Sequence, residues 1–317
     1  MFHTTVSIGI STYPEDGANA DELMRSADIA IYKAKATGKN KYVFFNHEMQ
    51  ETVRQRMMIE KHLRNALQNN ELLIYYQPQL DIKTGKISGF EALLRWNNNE
   101  LGFVSPLEFI GTAEETHLII PIGEWVLRNA CFFLKQLHIR GYTNIIISVN
   151  VSILQLLQEN FVDTVIRVLE FIKMDPKYLE LEITESILME SYQAISDKLY
   201  RLKEIGVRIA LDDFGQGYSS LSYLKQLPIN TLKIDKSFVD SINFEESSDS
   251  LTGTIVMIGR KMGLTILAEG VETQEQMNYL IKHKCHKIQG YLISKPLPQE
   301  EVIKFYEEWN LGLYDKA

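Results

Sequence analysis

Asp212 and Asp213 are adjacent carboxylates at the end of an apolar-rich run, Val207-Arg208-Ile209-Ala210-Leu211, and Gly215 and Gly217 break the chain just beyond them. Two carboxylates held together repel, so one takes up a proton or a positive charge sits between them. Asp-Asp before Gly is also an ordinary turn signal. Four more oxygen-bearing side chains fall in strand-like runs: Glu91, Asn150, Glu182 and Glu269. With Asp212 and Asp213 they form a set of oxygen donors without Cys or His. Five buried carboxylates cannot all stay ionised without compensating positive charge. Mg2+ or Mn2+ suits such a set, Ca2+ is an alternative, and Zn2+ suits it less well. Two divalent ions about 4 Å apart favour in-line attack on phosphorus, and the adjacent aspartates are natural ligands for both. Lys233 is the cation that projects from a strand toward this set. It would orient an attacking water or offset phosphoryl charge, unless it is a structural counter-ion to Asp235 or to the cluster. Arg95 offers a planar fork for a phosphate, or a partner for one of the carboxylates. The seven His residues form no ligand pair.

The elements that must hold these residues follow from periodicity. Strand-like runs fall at 71–80, 87–96, 145–152, 178–186, 207–214, 231–237, 265–272 and 287–293. Helix-like stretches such as 122–138, 154–172, 193–205 and 252–262 lie between them. Strands alternating with helices imply parallel pairing with crossover connections, and eight such strands suit an eight-stranded α/β barrel. An open doubly wound sheet is the rival architecture. The gap 81–86 is too short for a crossover and reads as a hairpin, so the first strand runs antiparallel to the second. In 178–185, Leu179, Leu181 and Ile183 oppose Glu180, Glu182 and Thr184; in 231–235, Leu232 and Ile234 oppose Thr231, Lys233 and Asp235. Helices must cover the apolar face, so the polar face lines the barrel interior. A solvent-exposed antiparallel sheet alternates in the same way, but the intervening helices speak against it.

Upstream, residues 1–46 read as strand (5–10), helix (20–36) and strand (42–45), and 47–70 as a connecting helix. The first 46 residues are too few to bury a core of their own. The expected division is 1–46, a β-α-β remnant; 47–70, the connecting helix; and 71–317, the barrel. A net charge of −8 argues against a general binder of DNA, RNA or anionic membrane. Cys131 and Cys285 have neither metal-ligand spacing nor a disulfide framework, which suits a reducing cytoplasm. No apolar run approaches membrane-spanning length, although a longer parent could carry a membrane anchor.

The residues above carry a pattern that resembles the EAL domain, the bacterial phosphodiesterase for cyclic di-GMP. The matching segments are Tyr76-Gln77-Pro78, EALLRW from Glu91, SVNVS from Ser148, LEITES from Leu181, LDDFGQGYSSL from Leu211, LKIDKSF from Leu232, AEGVET from Ala268 and QGYLISKPL from Gln289. The resemblance spans about residues 52 to 310. It implies a TIM-like barrel with an antiparallel first strand. It implies metal ligands at Glu91, Asn150, Glu182, Asp212, Asp213 and Glu269, and a lysine, Lys233, that helps hold the catalytic water. Arg95 matches a phosphate contact, Gln77 a guanine contact, and Glu185 a residue that steadies the loop after the aspartates. Glu272 and Gln289 match supporting positions, Glu272 on the catalytic side and Gln289 on the substrate side. The implied reaction opens one phosphodiester bond to give linear pGpG, with two Mg2+ or Mn2+ ions per site, Ca2+ inhibitory, and a homodimer formed through the aspartate-loop region. Gln216 departs from the Thr, Ser or Ala usual in that loop.

Residues 1–46 resemble the C-terminal end of a GGDEF (diguanylate cyclase) domain through VSIGIS, YPEDG and ADIAIYKAKATGKNKY. Lys35 and Lys39 fall at basic positions of that family, with Lys39 replacing the commoner Arg. Its signature loop has no counterpart here, so cyclase activity is not expected, and the chain reads as a fragment of a tandem protein or one with a decayed front half. Two rival functions remain from sequence: a receptor that holds cyclic di-GMP without cutting it, and a different metal-dependent barrel enzyme that abstracts a proton beside a carboxylate.

Overall fold

The computed structural model describes residues 5–215, 226–242 and 251–312. The chain forms two compact units, one of residues 1–69 with 107–116, the other of 70–106 with 117–317.

In the smaller unit, β1 (Ile8–Ile10) and β2 (Tyr42–Phe44) pair in parallel, joined by α1 (Ala20–Ala36). Asn19 caps α1 by accepting the Glu22 N–H. Asp21 and Glu22 in its first turn and Lys33 and Lys35 in its last complement the helix dipole. Ala30 and Ala34 form its buried stripe. Asn46 then caps α2 (His47–Ala66). Arg56 of α2 lies over the Tyr32 ring and pairs with Glu115 at the end of α3 (Pro106–Glu115), a helix the sequence reading did not single out.

The larger unit is an eight-stranded closed barrel. Its strands are β3 (Leu72–Asp81), β4 (Lys86–Asn98), β6 (Ile146–Asn150), β7 (Leu179–Thr184), β8 (Arg208–Phe214), β9 (Thr231–Ile234), β10 (Thr265–Ala268) and β11 (Lys287–Ile288). β3 runs antiparallel to both neighbours, β4 and β11, and the other pairings are parallel. The hairpin 81–86 therefore does what its length requires. Short strands β5 (Gly102–Val104) and β12 (Leu297–Pro298) add to β4 and β3. Between the strands run α4 (Ile119–Ile139), α5 (Ile153–Leu157), α6 (Phe161–Ile172), α7 (Glu185–Glu204), α8 (Lys236–Asp240), α9 (Leu251–Lys261) and α10 (Gln274–Lys282), and α11 (Gln299–Asn310) follows β12. The helices form because their apolar residues recur on one stripe. In α6 Phe161, Val162, Val165, Val168, Leu169 and Ile172 are all buried.

Several strands stop earlier than periodicity suggests, and each stop has a local cause. The run 178–186 ends at Thr184 because Glu185 opens α7. The run 231–237 ends at Ile234, where Asp235 accepts the Ser237 N–H and caps α8. The run 265–272 ends at Ala268. The run 287–293 keeps only Lys287 and Ile288, because Gly290 lies flat against the Val271 backbone, where a Cβ would sit 2.2 Å from the Val271 carbonyl oxygen. The helical stretch 154–172 is two helices; Ser152 and Gln155 form a capping box at the start of the first.

The apolar strand faces are buried, with Leu179, Leu181 and Ile183 of β7 at zero exposure. Leu181→Ala is expected to cost about 2–5 kcal/mol of stability, read as a lower midpoint in chemical denaturation. An unchanged midpoint would contradict this packing.

Candidate active site

β7 and β9 carry the centre of the site. Glu182 is the fourth residue of β7 and Lys233 the third of β9, and both are 1% exposed. The Lys233 ammonium is ion-paired with Glu182, stands 3.0 Å from Asp212 Oδ2 and 2.7 Å from Glu269 Oε1, and lies 3.8 Å from Glu91 Oε1. Four of the five predicted carboxylates thus converge on one ammonium. Glu91 is held in place from three sides. Asn150 donates to it at 2.6 Å, Gln289 donates to its other oxygen, and Gln77 lies directly across the β3–β4 ladder. Gln289 also donates to Gln77 at 3.2 Å.

One positive charge cannot keep four buried carboxylates ionised. Burial works against Glu91, but Lys233 and the donors Gln289 and Asn150 hold its carboxyl below the usual range. Burial and the charge of Glu91 push Glu182 well up in spite of Lys233. Burial, opposed by Lys233 and reinforced by Asp212 and Glu91, pushes Glu269 up to about 8. Burial also disfavours charge on Lys233, yet Asp212, Glu182, Glu269 and Glu91 hold it well above its ordinary value.

The adjacent aspartates are separated by a backbone device. β8 and β9 lose register between Leu211 and Phe214, and Asp213 adopts a left-handed conformation at φ 56°. This bulge lifts Asp212 and Asp213 out of strict alternation. Asp212 accepts the Asp213 N–H at 2.9 Å through one oxygen and faces Lys233 with the other. Asp213 is half-buried, and among the described residues its carboxylate has no ion pair; burial, then Asp212 and Asp235, raise its affinity for a proton. Glu185, first residue of α7, accepts the Gly215 N–H at 2.9 Å and so anchors the chain leaving β8. Gln216 lies outside the described residues.

A cavity of about 510 Å³ opens above this cluster and is lined by Gln77, Glu91, Asp212, Lys233, Glu269 and Gln289, among others. Glu272 also lines it, but stands away from Lys233; its exposed carboxylate pairs with Lys236 at 2.8 Å. Lys236 is a cavity residue the sequence reading missed, because the strand was carried through 237; the signal was Asp235 as a helix cap. Its chain packs over Gly270, whose φ of 64° and contact with Lys236 Cγ leave no room for a side chain. Arg95 lies on β4 in the Glu91 register, with its guanidinium 5.6 Å from the Tyr75 ring and donating to Leu94 O. Among the described residues it pairs with no carboxylate.

The donor set fits hard divalent cations. Glu182 Oε1 and Gln289 Oε1 are buried without a hydrogen-bond partner, and the carboxylates outnumber the positive charge. Among the described residues no three acidic, His or Cys side chains stand arranged to hold a metal ion as they are. Lys233 occupies the point where the carboxylates meet. Breaking a buried ion cluster by removing one partner costs about 3–5 kcal/mol. Lys233→Ala is therefore expected to lower metal-free stability by that amount, measured by denaturation in EDTA. Wild-type stability would show that the carboxylates do not depend on the ammonium.

Comparison with known proteins places this geometry among relatives. The EAL domain family matches residues 60–296, and the diguanylate cyclase GGDEF domain family matches residues 1–41. Cyclic di-GMP phosphodiesterase NbdA of Pseudomonas aeruginosa is 38% identical over 305 residues, covering 95% of this chain and 39% of that protein. The bifunctional diguanylate cyclase/cyclic di-GMP phosphodiesterase MucR of the same organism is 40% identical over 299 residues, covering 94% of this chain and 44% of that protein. The chain thus spans less than half the length of these curated relatives. Among solved structures, the PaMucR phosphodiesterase in complex with c-di-GMP superposes with a TM-score of 0.73 at 40% identity, covering 77% of this chain and 99% of that one.

Proposed function

The chain belongs to the EAL domain family, and from that premise we propose that it is a metal-dependent phosphodiesterase that opens one phosphodiester bond of cyclic di-GMP and releases linear pGpG. The observation that carries this reading is the convergence of Glu91, Glu182, Asp212 and Glu269 on Lys233 at the base of a ligand-sized cavity. Support for the substrate comes from relatives named as cyclic di-GMP phosphodiesterases and from the related structure that holds c-di-GMP.

Glu91, Asn150, Glu182, Asp212, Asp213 and Glu269 would hold two Mg2+ or Mn2+ ions, with Ca2+ inhibitory. When bound, such ions supply Lewis acidity, offsetting phosphoryl charge and acidifying an attacking water. Lys233, released from some of its carboxylate partners, holds that water and offsets charge at the reacting phosphorus. Gln77 and Gln289, already hydrogen-bonded to each other, form one wall for the base. Arg95, with its planar fork and without a carboxylate partner among the described residues, grips a phosphate oxygen. Glu272 fixes Lys236 at the rim, and Glu185 holds the loop that follows the aspartates.

The same reading divides the chain into a GGDEF remnant (1–46), a connecting helix (47–70) and the phosphodiesterase barrel (71–317), working as a homodimer in the cytoplasm. Both cysteines are free and buried, which suits a reducing compartment. Among the described residues no helix is long and apolar enough to cross a membrane.

Purified protein with Mg2+ or Mn2+ is expected to convert cyclic di-GMP to pGpG, followed by chromatography. EDTA should stop the reaction, and Asp212→Asn should lower turnover at least about 100-fold. Folded protein that binds cyclic di-GMP but yields no pGpG with either metal would make it a receptor instead.

A further inference from the structure

Beneath the site residues lies a second polar layer inside the barrel. Ser148, Glu180 and Arg208 are direct partners across β6, β7 and β8. Each precedes a site residue on its own strand: Ser148 before Asn150, Glu180 before Glu182, Arg208 before Asp212. Thr231 precedes Lys233 on β9 in the same way. Glu180 is 1% exposed, and its two oxygens accept from all three neighbours. The Ser148 hydroxyl donates at 3.2 Å, the Thr231 hydroxyl at 2.6 Å and Arg208 Nε at 3.2 Å. One buried carboxylate thus ties together the four adjacent strands that carry Asn150, Glu182, the aspartate pair and Lys233.

Packing alone does not call for this arrangement. Parallel barrels usually fill such layers with branched apolar side chains, and a buried carboxylate is costly unless it is fully paired. What the hydrogen bonds add is direction. They couple the heights of strands already paired by their backbone ladders, and the site residues follow two positions further along β6, β7 and β9, about 6.6 Å, and four further along β8, about 13 Å.

We propose that Glu180 is a positioning residue for metal binding, holding β6 to β9 in the relative height at which Asn150, Glu182, Asp212 and Lys233 meet. Its kinetic readout rests on the phosphodiesterase reading; its metal-binding readout does not. Partners beyond the direct ligands are typically worth roughly 10–100-fold in metal affinity or activity. Gln77 and Arg95 lie on β3 and β4 and are not bonded to Glu180, so its loss is expected to change substrate affinity less than metal affinity.

The test uses two variants of the full chain, Glu180→Gln and Thr231→Val. The second removes only the hydroxyl bonded to Glu180 and serves where the first does not fold. Mn2+ binding is followed by the loss of the free-ion paramagnetic resonance signal, and turnover of cyclic di-GMP is measured across Mn2+ concentrations. Mn2+ affinity is expected to fall about tenfold or more, with turnover at fixed Mn2+ falling in parallel and recovering as Mn2+ is raised. KM for cyclic di-GMP should stay within about twofold. Folded variants with wild-type Mn2+ affinity overturn the proposal, even where their melting temperatures drop, since Glu180 would then only stabilise the barrel. A wild-type chain that binds no Mn2+ overturns it as well. Wild-type protein that binds Mn2+ better than the variants but cleaves no cyclic di-GMP leaves Glu180 in its role and sinks only the hydrolase reading.

Discussion

Four carboxylates share one ammonium at the centre of this barrel, and much of the site follows from that imbalance. Barrel closure gathers Glu91, Glu182, Asp212 and Glu269 around Lys233, and among the described residues no other cation is paired with them. A single lysine cannot satisfy the group, so Glu182 and Glu269 are driven toward their protonated forms while Glu91 remains ionised. Such an excess of buried carboxylate oxygen is the electrostatic condition that suits a hard divalent cation. The same imbalance accounts for the orphaned oxygen of Glu182, which has nothing to accept from in a place built to donate electron pairs.

The barrel makes the imbalance tolerable. Glu182, Asp212 and Lys233 sit toward the C-terminal ends of their strands, Glu269 just past the end of β10, and Glu91 in the middle of β4. The apolar face of β7 is completely buried, so Glu182 cannot rotate outward without exposing Leu181 and Ile183. Backbone ladders on both sides leave the side chains little freedom but to face one another. The antiparallel β3 brings Gln77 opposite Glu91 on one ladder.

The alternation of polar and apolar residues was enough to read the architecture. Eight runs, six parallel pairings implied by helical gaps and one hairpin too short for a crossover all appear in the structure. Strand ends were less legible, because what stops a strand is often non-local or a single cap. Asp235 as a helix cap and Gly290 against the Val271 backbone each shortened a run, and Lys236 was missed for the first of these reasons. The helix at 106–115 was missed as well; it groups with the first 69 residues, to which nothing in its own sequence ties it.

From sequence alone, residue type and order determined which side chains are candidates for the chemistry: oxygen donors without Cys or His, one lysine among them, and motifs in the order of the EAL family. Period-two alternation also determined which strand face they occupy, because a strand offers only two. What alternation cannot yield is convergence. Asp212 and Asp213, as neighbours on a regular strand, would point to opposite faces. Only the bulge between β8 and β9, with Asp213 at positive φ, frees both from that rule. Likewise, that Lys233 is the common partner of four acids depends on the closure of eight strands, which brings together acids up to 178 positions apart in the chain, from Glu91 to Glu269. Sequence spacing carries no information about distances across a closed sheet; the ladders and their register decide them.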